Sequence, residues 1–215
     1  MSAGKVSGPS RVYAIADAGR IPAGRISAAV AEIAAAGIET IQLRGKLLPD
    51  DELWRIAEEA VKRLEGWSGS FWIDDRVDLA CALPFDGVHL GQRDLAPTDA
   101  RSQLPDTKAI GFSTHDEEQL DAAERDQAVD WVALGPVFAT RSKQNPDPIV
   151  GLDGLARLRQ RTRRPLVAIG GIDASNLAAV LRAGADSAAV LSAVCDGDVA
   201  ANCRRLLSAA EAGTE

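Results

Sequence analysis

Apolar residues along this chain recur in two alternating rhythms. Short, nearly continuous apolar runs rich in β-branched or aromatic residues read as strands covered on both faces, and longer stretches with apolar residues at every third or fourth position read as helices. The short runs fall at 12–16, 39–43, 70–73, 87–90, 108–111, 131–134, 166–169 and 187–191. The helical stretches between and after them are 26–36, 50–64, 76–83, 98–103, 116–125, 152–160, 174–183 and 199–210. The clearest is 50–64, which starts on acids and places Leu53, Ile56, Ala57, Ala60, Val61 and Leu64 on one face. The Ala-rich stretch 26–36 stops at Gly37, a residue suited to a left-handed helix exit. Eight strand–helix pairs in 215 residues predict one (β/α)8 TIM barrel over 12–215, with 1–11 left as a loose N-terminal tail. An open doubly wound sheet is the rival architecture, and it would carry GxGxxG after its first strand; Ala16-Asp17-Ala18-Gly19 lacks that spacing.

A parallel barrel gathers its chemistry at the carboxyl ends of its strands. Asp74 and Asp75 follow the third strand run and Asp94 follows the fourth. Asp75 and Asp94, at neighbouring strand ends, can share one hard cation through oxygen ligands, while Asp75 alone could equally cap the helix at 76–83. Gln42, Arg44 and Lys46 lie in IQLRGK after the second run, and Thr140, Ser142 and Lys143 in GPVFATRSK after the sixth. Each cluster by itself reads as solvated surface; together Arg44, Lys46 and Lys143 can hold a diphosphate. Ser113 in GFSTH adds a hydroxyl, His115 is a proton carrier or the flank of helix 116–125, and His89 reads as a barrel-interior residue. Gly170-Gly171 and Leu191-Ser192-Ala193 occupy the last two loops, where barrels recurrently bind phosphate. A tight turn would use the same two glycines.

Composition narrows the partners. With 24 Lys and Arg against 31 Asp and Glu the net charge is −7, which argues against a nucleic-acid surface and for small-molecule partners. Cys81, Cys195 and Cys203 are odd in number and lack CxxC spacing, so reduced thiols are expected rather than disulfides or zinc. The start, MSAGKVSGPSR, has no apolar core, and no later stretch is long and apolar enough to span a bilayer, so a cytoplasmic protein is expected. The Ala-rich faces at 28–36 and 200–210 leave a homodimer through outer helices open beside simple packing on the barrel.

In order and spacing, IQLRGK, IDDRVDLA, DGVHLGQRD, GFSTH, GPVFATRSK, AIGGI and VLSAV resemble the thiamine-phosphate synthase family over nearly the whole chain. The resemblance implies a barrel transferase that joins hydroxymethylpyrimidine diphosphate to a thiazole phosphate and releases diphosphate. It further implies Mg²⁺ on Asp75 and Asp94, pyrimidine diphosphate contacts from Gln42, Arg44, Lys46, Asp74, Ser113 and Lys143, and thiazole phosphate contacts from Thr140, Ser142, Gly171, Leu191 and Ser192. Arg44, Lys46, Ser113 and Lys143 would carry the catalytic contacts to the leaving group. Three positions depart from the family's pattern: Asp74 stands where Asn is usual, Gly45 where Glu is common, and Ala16 where Thr is common. Two other readings remain beside coupling: a metal-independent thiazole tautomerase, similar to relatives of the family, using His115, and a non-catalytic phosphate-ligand sensor.

Overall fold

The chain alternates strand and helix from end to end: β1 (Val12–Asp17), α1 (Ala23–Ala35), β2 (Thr40–Arg44), α2 (Asp50–Arg63), β3 (Ser70–Asp74), α3 (Val77–Ala82), β4 (Gly87–Leu90), α4 (Pro97–Gln103) and β5 (Ala109–Thr114). There follow α5 (Glu117–Arg125), β6 (Trp131–Leu134), α6 (Gly151–Arg159), β7 (Leu166–Ile169), α7 (Leu177–Arg182), β8 (Ser187–Val190), α8 (Ser192–Cys195) and α9 (Val199–Glu211). The structure, a computed structural model, describes residues 8–140 and 147–214. The strands pair in chain order into a closed barrel, β8 returning beside β1 with Val12 opposite Ala188, and every pair is parallel. This is the expected (β/α)8 barrel. Among the described residues no helix is long and apolar enough to cross a membrane.

Where elements differ from expectation, local chemistry explains it. The helix expected from 174 starts at Leu177, because Asp173 and Asn176 tie the preceding residues into a turn: Ser175 N donates to Asp173 Oδ1 at 2.8 Å and Asp173 N to Asn176 Oδ1 at 2.9 Å. Strand β5 runs on to Thr114, past the glycine expected to end it. Helix α8 was not expected at all; four residues are too few to show a helical period. Of the expected tail, residues 1–7 lie outside the described residues, whereas Ser10 N donates to Thr40 Oγ1 at 2.8 Å and Ser187 Oγ donates to Ser10 O at 2.5 Å, tying 8–11 to the barrel floor.

Two apolar layers form. One lies between the barrel wall and the helices, and the other fills the barrel with Tyr13, Ile15, Trp72, Trp131 and Val167. Trp72 meets Trp131 edge-on at 5.4 Å, and Tyr13 meets Trp131 at 5.6 Å. Room for the two indoles comes from Gly87 and Gly111, where a β-carbon would lie 2.4 Å from the Trp72 ring and 2.1 Å from the Trp131 ring. At the floor, acids that precede even strands satisfy N–H groups near the starts of odd ones. Asp86, Asp130 and Asp186 accept from Phe71 N, Ile110 N and Leu166 N, each at 2.7 Å.

His89 closes the top of the inner layer. Its ring stacks on Trp131 at 4.8 Å and its Nε2 lies 2.8 Å from Ser113 Oγ. Burial, aided by the charge of Lys46, pushes its pKa down to about 3, so the ring is neutral in the native state. An unfolded His takes its proton near pH 6.5 while the folded one refuses it, so this group's share of stability is present above pH 6.5 and drains as pH falls towards 3. Chemical denaturation of wild type and His89→Gln between pH 8 and 4 is expected to show wild type losing on the order of 3 kcal/mol more than the variant. Parallel pH curves would contradict a neutral buried ring.

Candidate active site

Strand β2 ends on Arg44 and strand β3 on Asp74, and the turn after β3 carries Asp75. Asp75 adopts φ 61°, a left-handed conformation rare outside glycine and most tolerable for Asp and Asn. In that turn its N–H donates to His89 O at 2.9 Å, and its carboxylate faces Lys46, whose Nζ lies 2.8 Å from Oδ2. Helix α3 takes Arg76 as its first flanking residue with no side-chain cap, so capping is not the role of Asp75. Asp94 is held from the next loop, where Gly91 N donates to its Oδ2 at 2.7 Å, and it stands near enough to Asp75 to raise that carboxyl. The two acids paired in the sequence therefore meet in space.

Cations interleave with these acids. Arg44 Nη1 donates to Asp17 Oδ1 at 2.8 Å, and its Nε lies 3.2 Å from Asp74 Oδ2. Lys46 Nζ donates to Asp75 Oδ1 at 3.1 Å and stands 3.8 Å from Asp74 Oδ2. Asp74 Oδ2 is fully buried, and its contacts to these cations are ion pairs without hydrogen-bond geometry. Burial first, then the charge of Asp75, pushes the Asp74 carboxyl up to about 7, against the pull of Lys46 and Arg44. Asp75 is likewise raised, by burial and by Asp94, against the bond from Lys46. Lys46 loses from desolvation but is held above its usual value by Asp74 and Asp75. This corner has more carboxylate than its two cations balance, and its donors are hard oxygens. That is the chemistry of a divalent-cation site, so the residues fit a metal such as Mg²⁺. Among the described residues no group of three or more His, Cys, Asp or Glu is arranged to hold a metal, so Asp75 and Asp94 would supply a two-carboxylate share of the ligands.

Around this corner, Gln42 Nε2 donates to Tyr13 OH at 2.9 Å in the buried mouth, and Ser113 pairs with His89. Thr140 stands at the end of the described segment, while Ser142 and Lys143 lie outside the described residues. His115 Nδ1 lies 2.6 Å from Gly135 O and its Nε2 3.5 Å from Asp147 Oδ2; it precedes Asp116, which caps α5. His115 therefore has partners that the sequence did not reveal.

A second region faces the acid corner across the barrel, since β7 lies four strands from β3 in the closed order. Gly170 and Gly171 have φ 103° and 64°, and a β-carbon on Gly171 would stand 2.6 Å from Ala139 O, so both backbone shape and space demand glycine there. Gly171, Ser175, Ser192, Asp196, Asn202 and Arg205 help line a cavity of about 600 Å³ beside α8. Leu191 leads into α8 and Ser192 begins it.

Two residues central to this geometry were not anticipated. Asp17 orients Arg44. Asn202, buried on α9, donates from Nδ2 to Val194 O at 3.0 Å and to Asp196 O at 2.8 Å while its Oδ1 accepts from Arg205. It thereby fixes the end of α8 behind Ser192, reinforced by Cys195 Sγ, which donates to Ile15 O at 3.2 Å.

The chain was compared with known proteins. The family model described as thiamine monophosphate synthase matches residues 12–194. A thiamine-phosphate synthase of Koribacter versatilis is 44% identical over 186 residues, covering 85% of this chain and 87% of the relative. One from Methanoculleus marisnigri is 44% identical over 200 residues, covering 91% and 92%. Among solved structures, thiamine phosphate pyrophosphorylase from Pyrococcus furiosus superposes with a TM-score of 0.85 at 32% identity, covering 95% of this chain and 97% of that one. With the acid corner at β3 and β4 and the glycine turn at β7, these matches place the chain in the thiamine monophosphate synthase family.

Proposed function

We infer that the chain is a transferase that couples 4-amino-5-hydroxymethyl-2-methylpyrimidine diphosphate to a thiazole phosphate, forming thiamine phosphate and releasing diphosphate. The observation that carries the reading is the convergence of Arg44 on Asp74 and of Lys46 on Asp75, beside Asp94, at one strand-end corner across the barrel from the Gly170-Gly171 turn. One corner suits a diphosphate with its counter-ion, the other a monophosphate.

Breaking the bond between the pyrimidine methylene and the diphosphate leaves the electron pair on the departing oxygen, so charge there is what the site must stabilise. Arg44 offers a guanidinium fork, Lys46 a point charge and Ser113 a hydroxyl. Lys143, from the loop after β6, is assigned to the same anion. Asp75 and Asp94 would hold Mg²⁺, which would supply Lewis-acid neutralisation of the diphosphate. His89 is neutral and can donate from Nε2 to Ser113 Oγ, which frees the Ser113 hydroxyl proton for the anion. On the far side, Gly171, Leu191 and Ser192 anchor the thiazole phosphate, to which Thr140 and Ser142 are also assigned, and hold its ring nitrogen for attack on the methylene, which is catalysis by proximity. No side chain is needed as nucleophile.

Asp75→Ala and Asp94→Ala are expected to lower the Mg²⁺-dependent coupling rate about a hundredfold or more with unchanged circular dichroism; EDTA should stop diphosphate release by wild type. Wild-type turnover in both variants, or thiazole isomerisation indifferent to EDTA, would contradict the reading. Asn202→Ala is expected to raise KM for the thiazole phosphate about tenfold, with KM for the pyrimidine diphosphate and saturated kcat little changed, because it frees the end of α8 behind Ser192. An equal rise in both KM values would remove Asn202 from that role.

A further inference from the structure

We propose that Asp74 is an internal competitor for the leaving group: its carboxylate occupies Arg44 and Lys46, two of the cations assigned to diphosphate, sets a ceiling on diphosphate affinity, and helps the product to leave. The proposal rests on the coupling reaction inferred above and deepens it at one residue.

The geometry is specific. Asp74 is the last residue of β3 and is only 8% exposed, so its side chain has nowhere to go but the barrel mouth. There its Oδ2 lies 3.2 Å from Arg44 Nε and 3.8 Å from Lys46 Nζ. Arg44 is already engaged by Asp17 at 2.8 Å and Lys46 by Asp75 at 2.8 Å. An arriving diphosphate therefore meets cations that carboxylates already hold, and must either displace Asp74 from them or share them with it.

Either route weakens binding. Displacement leaves a buried carboxylate without its counter-charges, and sharing sets a like charge beside an anion that already carries several. Asp17 cannot act in the same way, because it holds Arg44 through Nη1 and leaves Nε directed at Asp74. Asp75 differs as well, since its neighbour Asp94 makes it half of the cation-binding pair. Among the described residues, the Oδ2 of Asp74 faces only Arg44 and Lys46, the cations assigned to the substrate. When the reaction has raised the charge on the diphosphate, Asp74 is in place to take the cations back as it departs.

Asp74→Asn keeps the shape, removes the charge and puts an amide donor in its place. Calorimetric titration at pH 8 with inorganic diphosphate is expected to give a Kd at least about tenfold lower for Asp74→Asn than for wild type. Product inhibition by diphosphate should strengthen by a similar factor, while Kd for the thiazole phosphate stays within about twofold. Asp74→Ser, with the charge removed and no isosteric amide, is expected to tighten diphosphate binding in the same direction, and thermal midpoints of all three proteins show that the comparison is made on folded chains. Equal or weaker diphosphate binding by both variants would overturn the proposal, as would an equal tightening of the thiazole phosphate, which would show a change of general potential instead of local competition. Because the titration reads diphosphate alone, its outcome is separable from the coupling reaction; a wild type that binds diphosphate yet forms no thiamine phosphate would refute the activity without touching the role of Asp74.

Discussion

The structure depends on a charge imbalance held at the mouth of the barrel. Asp17, Asp74, Asp75 and Asp94 converge on Arg44 and Lys46, and burial makes each uncompensated carboxylate costly. Such an arrangement persists only because the strand ends hold it: Arg44 and Asp74 are the last residues of β2 and β3, and Asp75 is committed by its left-handed turn. On the proposed function, a dication would relieve this repulsion and leave Arg44 and Lys46 freer to meet a polyanion.

The rigidity needed for that comes from layers below. Tyr13, Trp72 and Trp131 fill the barrel so that the strands cannot collapse inwards, and His89 sits on this aromatic platform with its Nε2 on Ser113. At the floor, Asp86, Asp130 and Asp186 tie alternate strands together without entering the chemistry. Acids near the two ends of this barrel thus do opposite things. Those at the floor bridge one strand to the backbone N–H of its neighbour and stabilise the fold, while at the mouth Asp74 and Asp75 face Arg44 and Lys46 instead.

Much of this was legible in the sequence because a parallel barrel advertises itself through repetition. The short apolar runs mark the strands, and their order alone puts Asp75, Asp94, Arg44 and Lys46 at one face of the barrel. Three features were not legible, each for a physical reason. Helix α8 has four residues, barely one turn, too short for a helical period to repeat. Asn202 looks like one polar residue in an Ala- and Leu-rich helix, and only the fold shows its amide reaching back to Val194 and Asp196. Asp17 follows the first strand run in sequence, yet its register opposite Arg44 is a property of strand pairing, which spacing along one chain does not encode. Ser142 and Lys143 belong to the same expected site and lie outside the described residues.

The central claim is that Asp75 and Asp94 together hold a dication against the diphosphate. Titration of Mn²⁺ followed by electron paramagnetic resonance, with inorganic diphosphate present, tests it most directly. The account predicts one tightly held ion per chain in wild type and its loss in the Asp75→Asn, Asp94→Asn double variant; an ion held equally well by both proteins would contradict it.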